Sequence, residues 1–300
     1  AEFMLRSDVG ENTIISCDSC NWAANAEIAS CHKGKREPLL DQKEALSLVK
    51  TPTQKSIEEV AAFFACNKAD VLKARLYKKE SGDFVLCLLE GDRSLNELKL
   101  SKLFEEELLL ASDEDIRKVS GADLGFLGPL ELKETCEIIV DDGIDSGLYC
   151  IGANQTGFHY KGFGVSALKD SRVADITFPL LDKDSYYNGE KSGALREDKA
   201  IELGHVFQLG QKYAKAMGAT VLDQQGKASV LEMGCYGIGV GRCMAAIAQA
   251  YHDDKGLVWP VEVAPFKVIV VCLSSKEAAL VDASEKVYHS LSAFLPEECF

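Results

Sequence analysis

The spacing of apolar residues changes period several times along the chain, and each change marks an element. Over "SIEEVAAFF", Ile57, Val60, Ala61 and Phe64 fall on one helical stripe, and Ser56 followed by Glu59 makes a capping box at its start. In "VLKARLY" the period drops to two. Leu72, Ala74 and Leu76 share one face; Val71, Lys73, Arg75 and Tyr77 share the other. "SGD" predicts a turn and the unbroken run "FVLCLLEG" a buried strand. "LNELKLSKLFEEELLL" and "DEDIRKVSG" read as helices, and "GADLGFLGPLEL" as a glycine-proline loop. "CEIIVDDG" and "LYCIGANQTG" read as strands, and "GFHYKGFG" as an aromatic-glycine turn.

On either side the pattern is looser. The first ~30 residues predict a strand pair turning at "DVGEN", then a helix over "WAANAEIA". The polar stretches "CHKGKREPLLDQKE" and "RVADITFPLLDKDSYYNGEKSG" read as outward and return linkers. Beyond them come a strand "AIELGHVFQLG", a short helix "QKYAKAMG" and a hairpin turning at Gln225-Gly226. The hairpin runs into "LEMGCYGIGVGR", with the helix "RCMAAIAQAYH" behind it. "GLVWP" and "FKVIVVCL" predict two more strands, and "SKEAALVDASEKVYHSLSAF" a last amphipathic helix. Strands and helices interleave, so the fold class is α/β (α+β), and 300 residues imply two or three domains.

Composition narrows the function classes. Hydrophobic residues make up 47% and charged residues 27%, the balance of a soluble globular protein. No apolar run approaches the ~18–20 residues of a membrane span, and the first residues lack a basic-then-apolar signal, so no membrane is expected. Eleven cysteines, an odd number scattered through apolar runs, fit reduced thiols in a cytoplasmic setting. A net charge of −14 argues against broad affinity for nucleic acid, DNA included. It leaves room for a local basic face, and Lys-Arg density is higher in "KADVLKARLYKK" (68–79), though these lysines read as readily as the solvated side of a surface strand. Cys17, Cys20, Cys31 and His32 match zinc in donor type and number. Against that, the intervening stretch reads as a helix, on which adjacent Cys31 and His32 point apart, and no metal is expected.

The glycine run poses the sharpest question. Gly237, Gly239 and Gly241 are spaced two and two, so the third comes one residue early for a dinucleotide loop, and no Gly-Lys-Ser/Thr follows. What remains is a strand with one face free of side chains, against which a flat ligand can lie. Arg242 follows at a helix start, where a planar guanidinium and free N–H groups suit a phosphate. A glycine-rich bulge with Arg242 as an ordinary surface residue is the other reading.

"MGCYGIGVGR" followed by "HDDKGLVWPVEVAPFKVIVVCL" resembles the third motif of bacterial-type prolyl-tRNA synthetases, class II enzymes with an antiparallel catalytic sheet. "IELGHVFQLGQKYAKAMGATVLD" and the early blocks "EFMLRSDVGENTI" and "WAANAEIA" resemble other parts of the same family, so the likeness runs from end to end. It implies that Arg242 faces the phosphates of ATP (taken with Mg2+), over a floor made by Gly237 and Gly239. His205 and Phe207 would then border a proline pocket with Cys235 on its wall; as a residue type, Cys235 reads equally as a buried structural cysteine. The family's first and second motifs lie upstream of "HEFM", whereas this chain begins at "AEFM". The resemblance therefore implies that this polypeptide alone does not activate proline.

The middle of the chain resembles the family's YbaK-like editing insertion, which hydrolyses alanine mischarged onto the proline tRNA. A pocket cannot exclude what is merely smaller, since each missing methylene gives only ~1–3 kcal/mol of discrimination. Lys73 in "VLKARLY" matches the editing lysine, suited to the terminal phosphate or ester region. Gly125, Gly128 and Pro129 in "GFLGP" match a G-x-x-x-P loop whose N–H groups would meet the aminoacyl carbonyl as an oxyanion hole does. His159 matches a pocket-lining histidine that sizes the site. Alone, each of these reads as a solvated strand residue, an ordinary turn or a polar core residue. Their joint occurrence in the family's order carries the site. No Ser-His-Asp or Cys-His arrangement appears there, so attack by an activated water is expected. Glu90 and Arg93 stand in "EGDRSLNELK" where relatives favour arginine and histidine, which would alter charge near the tRNA end.

The expected organisation is residues 1–50 as part of a class II core, 51–180 as the editing insertion, 181–265 as core with the third motif, and 266–300 as the start of an anticodon-binding domain. Expected partners are the proline tRNA, proline, ATP and, as in the family, a second copy of the chain. The reading from another class is a non-catalytic fragment that binds tRNA or a partner.

Overall fold

The structure, a computed structural model, describes residues 1–187 and 192–293. It divides into two compact units, Asn12–Lys199 and a smaller one built from Ala1–Glu11 with the chain from Ala200 onward. β1 (Glu2–Arg6) belongs to the smaller unit. The larger unit opens with β2 (Asn12–Cys17), β3 (Ala23–Asn25) and β4 (Ser47–Lys50), followed by α1 (Ile57–Phe64). Then come β5 (Leu72–Lys78), β6 (Phe84–Glu90), α2 (Glu97–Phe104), β7 (Leu109–Leu110), α3 (Asp113–Ser120) and β8 (Cys136–Asp141). β9 (Leu148–Gly152), β10 (Phe158–Gly164), β11 (Arg172–Ala174) and β12 (Ser185–Tyr187) complete it, with the first part of β13 (Ser192–Gly210).

Its framework is a five-stranded mixed sheet, β11-β8-β6-β5-β7, and a three-stranded antiparallel sheet, β4-β10-β9. β6 lies between β5 and β8, and every one of its residues is buried, as its unbroken apolar run predicts. Leu86 and Leu88 pack with Leu72, Leu76, Ile151 and Phe163 on one side. Val85 and Cys87 pack with Tyr77, Leu100, Ile139 and Ile176 on the other. At roughly 1.5–3 kcal/mol for each large apolar side chain, these two clusters dominate the unit's stability. The capping box on α1 is formed as predicted, and Val60 and Ala61 carry its stripe into the core.

Four expectations are corrected here. "GFHYKGFG" is not a turn but β10, the central strand of its sheet; Gly162, at φ +79°, marks a bulge where the register to β9 shifts. "WAANAEIA" is not a helix, because β3 pairs with β2 and Trp22 stacks on Tyr186 with ring centroids 4.2 Å apart. Pairing and ring packing override alanine's helix propensity. The helix over "LNELKLSKLFEEELLL" stops at Phe104, where Glu105 turns left-handed (φ +57°) and Leu109–Leu110 pair with β5. Neither polar stretch is a loose linker. The Lys33 ammonium lies 3.5, 3.6 and 3.0 Å from the carboxylates of Asp141, Asp142 and Asp175. The Arg36 guanidinium is buried against Asp70 and stacks on the Tyr149 ring at 3.7 Å. Of the return stretch, residues 188–191 lie outside the described residues.

In the smaller unit β1 runs antiparallel to β13, with Phe3 opposite Gly204. α4 (Lys212–Met217) leads to the hairpin β14 (Thr220–Leu222) and β15 (Ala228–Val230), which turns at Gly226 as predicted. β16 (Met233–Ile238) pairs antiparallel with β13, and α5 (Val240–Ala250) follows directly. β17 (His252–Asp253) and β18 (Gly256–Leu257) make a minimal hairpin, and α6 (Ala278–Ser292) is the last helix. "FKVIVVCL" is a further correction. No strand among the described residues pairs with it, and Ile269, Val271 and Leu273 are exposed. Residues 294–300, the end of the expected anticodon-binding segment, lie outside the described residues. No described helix is long and apolar enough to cross a membrane.

Candidate functional site

The larger unit holds a cavity of about 210 Å³ beside the edge of β5. β7 pairs only with Tyr77 and Lys78, so over Lys73–Arg75 that edge is left open. Across it lie the start of α1, the glycine-proline loop, and β9 and β10, which contribute Gly152 and His159. The lining is one-sided in charge. Lys55, Lys73 and Arg75 are the charged residues, no carboxylate is among them, and Ile57, Val60, Val71, Leu72, Leu124 and Leu127 supply apolar wall. A chain of net charge −14 thus presents a locally cationic pocket, as the basic stretch 68–79 allowed.

Each group is held by local structure. Glu59 Oε2 accepts from the N–H groups of Lys55 (2.8 Å) and Ser56 (3.0 Å), which fixes the mouth at the helix start. Gly125 sits at φ +98°, and a Cβ there would come within 2.9 Å of the Lys55 side chain, so only glycine lets the loop close on Lys55. The Lys73 ammonium is half-buried and donates to the Arg93 carbonyl at 2.7 Å. Burial and then the charge of Arg75 lower its pKa. Arg75 and Lys55 are exposed and form no ion pair among the described residues.

His159 is buried, and burial pushes its pKa down to about 4. Its Nδ1 lies 2.6 Å from Thr51 Oγ1, and the ring also bonds the Gly125 backbone. The ring is neutral, bonds Thr51 and packs on Phe126 with centroids 5.4 Å apart, so it ties β10 to the loop.

The structure therefore brings Lys73, Gly125 and His159 to one cavity. Gly128 and Pro129 are buried behind the loop instead. The Gly128 N–H donates to Asn154 Oδ1 at 2.8 Å, so it is not available to an acyl oxygen. Sequence reasoning missed Asn154, which is left-handed at φ +52° and also donates to the Gly128 carbonyl at 2.9 Å. Its signal was an asparagine just after a strand, in a polar stretch that ends in glycine. Lys55, Ser56 and Arg75 were missed too, although Arg75 lies two residues from Lys73 on an alternating strand.

Glu90 and Arg93 require a correction. Neither faces a ligand; both have no exposed surface. Arg93 grips Asp184 through two bonds of 2.8 Å and donates to Glu90 Oε2 at 3.1 Å. Burial raises the Glu90 pKa to about 7, while Arg93 opposes the shift.

In the smaller unit, Phe207 lies opposite Cys235 and His205 opposite Gly237, so the four share one face of the β13–β16 pair. The His205 and Phe207 rings stack 3.8 Å apart, and His205 Nδ1 is 3.4 Å from Glu202 Oε1. Cys235 is exposed, which excludes the buried structural reading. The expected strand of alternate glycines is cut short: β16 ends at Ile238 and Gly241 lies in α5, so only Gly237 leaves the strand face bare, a Cβ there meeting nothing within 4 Å. Gly239 stands at the N-cap of α5, and Arg242 in its first turn donates to the Glu202 carbonyl at 3.1 Å, with Glu11 at 3.3 Å.

Cys17 and Cys20 are free thiols, with Cys17 Sγ 3.5 Å from Ser19 Oγ, whereas the Cys31 thiol donates to Asp184 at 3.6 Å. His32 joins a backbone bridge to Ser185, and the segment between the two pairs is strand and turn rather than helix. The carboxylate trio Asp141, Asp142 and Asp175 already surrounds the Lys33 ammonium.

Residues 51–165 match the aminoacyl-tRNA editing domain family. A "Proline--tRNA ligase" of Bacillus licheniformis is 40% identical over 97% of this chain and 51% of its own length. One of Trichlorobacter lovleyi is 38% identical over 97% and 51%, and one of Pelobacter propionicus 39% over 97% and 50%. The chain spans about half the length of these curated relatives.

Proposed function

Starting from a chain whose curated homologues along nearly its whole length are proline–tRNA ligases, class II synthetases, we propose that the unit Asn12–Lys199 hydrolyses alanyl esters of the proline tRNA. The observation that carries this is the lining of the cavity: three cations, no carboxylate and an apolar wall. At about 210 Å³ it falls below the roughly 300–1,000 Å³ of ordinary ligand pockets. It suits a small aminoacyl group, with the nucleotide's phosphates left at the rim for Arg75 and Lys55. Arginine's planar fork takes two phosphate oxygens at once.

Water attacks the ester carbonyl, negative charge gathers on its oxygen, and the ribose oxygen leaves with the proton. Lys73 stabilises that developing charge from a half-buried position, where an ammonium acts more strongly than in water. His159, neutral and bonded to Thr51, keeps the loop against the cavity and limits the room beside the ester. With no free base on the wall, catalysis rests on electrostatics and orientation rather than on a protein nucleophile.

The full-length protein is proposed to charge the proline tRNA, using proline and ATP with Mg2+, in the cytoplasm and as a homodimer. Within this chain, the bare face at Gly237 and the first-turn Arg242 suit a nucleotide, and His205, Phe207 and Cys235 suit a small apolar ring. The described cysteines are free thiols, which fits a reducing compartment.

The test is deacylation of alanyl- and prolyl-tRNA for proline by this chain, beside Lys73→Ala. Hydrolysis of the alanyl ester alone is expected, with kcat/KM falling about 10²-fold or more in the variant. Folded protein that binds the tRNA without hydrolysing it would replace this reading with the non-catalytic module.

A further inference from the structure

Lys73 is fixed from behind by a device that the expected editing residues do not include. Its Nζ donates at 2.7 Å to the carbonyl of Arg93, which closes a tight turn after β6, its own N–H bonding Glu90 O at 3.1 Å. That turn has little freedom. A Cβ on Gly91 would strike Lys68 O at 2.4 Å and the Ile57 side chain at 2.6 Å, so the turn presses on the segment that lines the cavity. The Arg93 guanidinium, with no exposed surface, spends two nitrogens on Asp184 at 2.8 Å each and the third on Glu90 at 3.1 Å. Asp184 is itself pinned by the N–H groups of Gly34 and Leu180, each at 2.8 Å.

A buried arginine in such a set could serve stability alone. Its carbonyl argues otherwise, because an ammonium that gives one proton to a fixed acceptor keeps the other two on fixed vectors. We propose that Arg93 is a positioning residue for Lys73: held by Asp184 and Glu90, it presents a carbonyl that orients the ammonium toward the ester. Its part in catalysis rests on the deacylase reading above, whereas its grip on Lys73 does not. Arg93 thus acts through Lys73 and touches no substrate. The Arg93–Asp184 pair also explains why a stretch that reads as a linker matters to the site.

Two measurements on the intact chain test this, with Arg93→Lys as the first variant and Asp184→Asn as the second should the first fail to fold. The first is the pH dependence of Lys73 acetylation by acetic anhydride, read by peptide mass with Lys35 as internal control. A carbonyl acceptor favours the ammonium, so a displaced carbonyl lowers the Lys73 pKa. The variant should acetylate Lys73 faster at a given pH, with Lys35 unchanged; an unshifted profile in folded variant overturns the proposal. The second is deacylation in a double-mutant cycle. Arg93→Lys should lower kcat/KM by about tenfold to a hundredfold in the native background, yet change it by less than about twofold beside Lys73→Ala. An equal fall in both backgrounds assigns Arg93 to stability alone and overturns the proposal. If the unaltered chain hydrolyses nothing, the deacylase reading fails and the acetylation profile decides the positioning separately.

Discussion

Two glycine segments, "GFLGP" and "GIGVG", look alike as sequence and use glycine for opposite reasons. In the first, glycine admits neighbours. Gly125 takes a left-handed φ of +98°, and a Cβ on Gly128 would sit 1.8 Å from the Gly152 carbonyl. In the second, the outer glycines keep neighbours away: a Cβ on Gly237 or Gly241 meets nothing within 4 Å and neither lies at positive φ, while one on Gly239 would meet the Arg242 Cβ at 3.2 Å. The first segment is closed by packing and holds a cavity. The second is open and offers a surface. Glycine count and spacing do not separate these cases; the atoms around the missing side chain do.

The comparison is broken most directly by alanine. Gly128→Ala must displace backbone at Gly152 and disturb the bonds to Asn154, so a loss of about 3 kcal/mol or more is expected. Urea unfolding of the variant measures it. A loss near zero would show that the loop tolerates displacement and does not fix the cavity.

A smaller effect comes from the histidine that holds this loop. His159 titrates near 4 when folded and near 6.5 when unfolded, so between those values the unfolded chain binds the extra proton. Stability is therefore present above pH 6.5 and falls as pH drops toward 4, by up to about 3 kcal/mol. His159→Asn should flatten that window in urea unfolding carried out at a series of pH values. The same shift predicts that alanyl ester hydrolysis shows no inflection near 6.5 from this ring, and such an inflection lost in His159→Asn would restore it as a proton carrier.

The two segments also mark how far the sequence could be read. Periodicity located α1, β5, β6, β8, β9 and the hairpin before β16 because each carries its pattern within its own residues and the fold supplies the partners that pattern needs. It failed where a partner decides. "FVLCLL" and, but for Lys267, "FKVIVVCL" are apolar throughout, yet the first lies between β5 and β8 and the second pairs with no described strand. The polar stretches misread as linkers failed for a related reason. Lys33, Arg36 and Asp184 look solvated one at a time, and only charges distant in sequence bury them. Of the cavity, Lys73, Gly125 and His159 were legible through resemblance. Asn154 and the Arg93 carbonyl were not, since one acts through its side-chain bonds to a distant loop and the other through a backbone atom.

The least disruptive change is the most telling for the open segment. Gly237→Ala adds a methyl into free space on the strand face shared with His205, Phe207 and Cys235. Its backbone is not left-handed, so stability should change by no more than about 0.5 kcal/mol in urea unfolding. Binding across that face should suffer instead. In isothermal titration of the full-length protein with ATP, a methyl standing where a flat base lies should weaken affinity about tenfold or more, the reverse of the Gly128 pattern. Unchanged affinity with unchanged stability would mean that nothing lies on the bare face, and that the run is glycine-rich for a reason other than ligand contact.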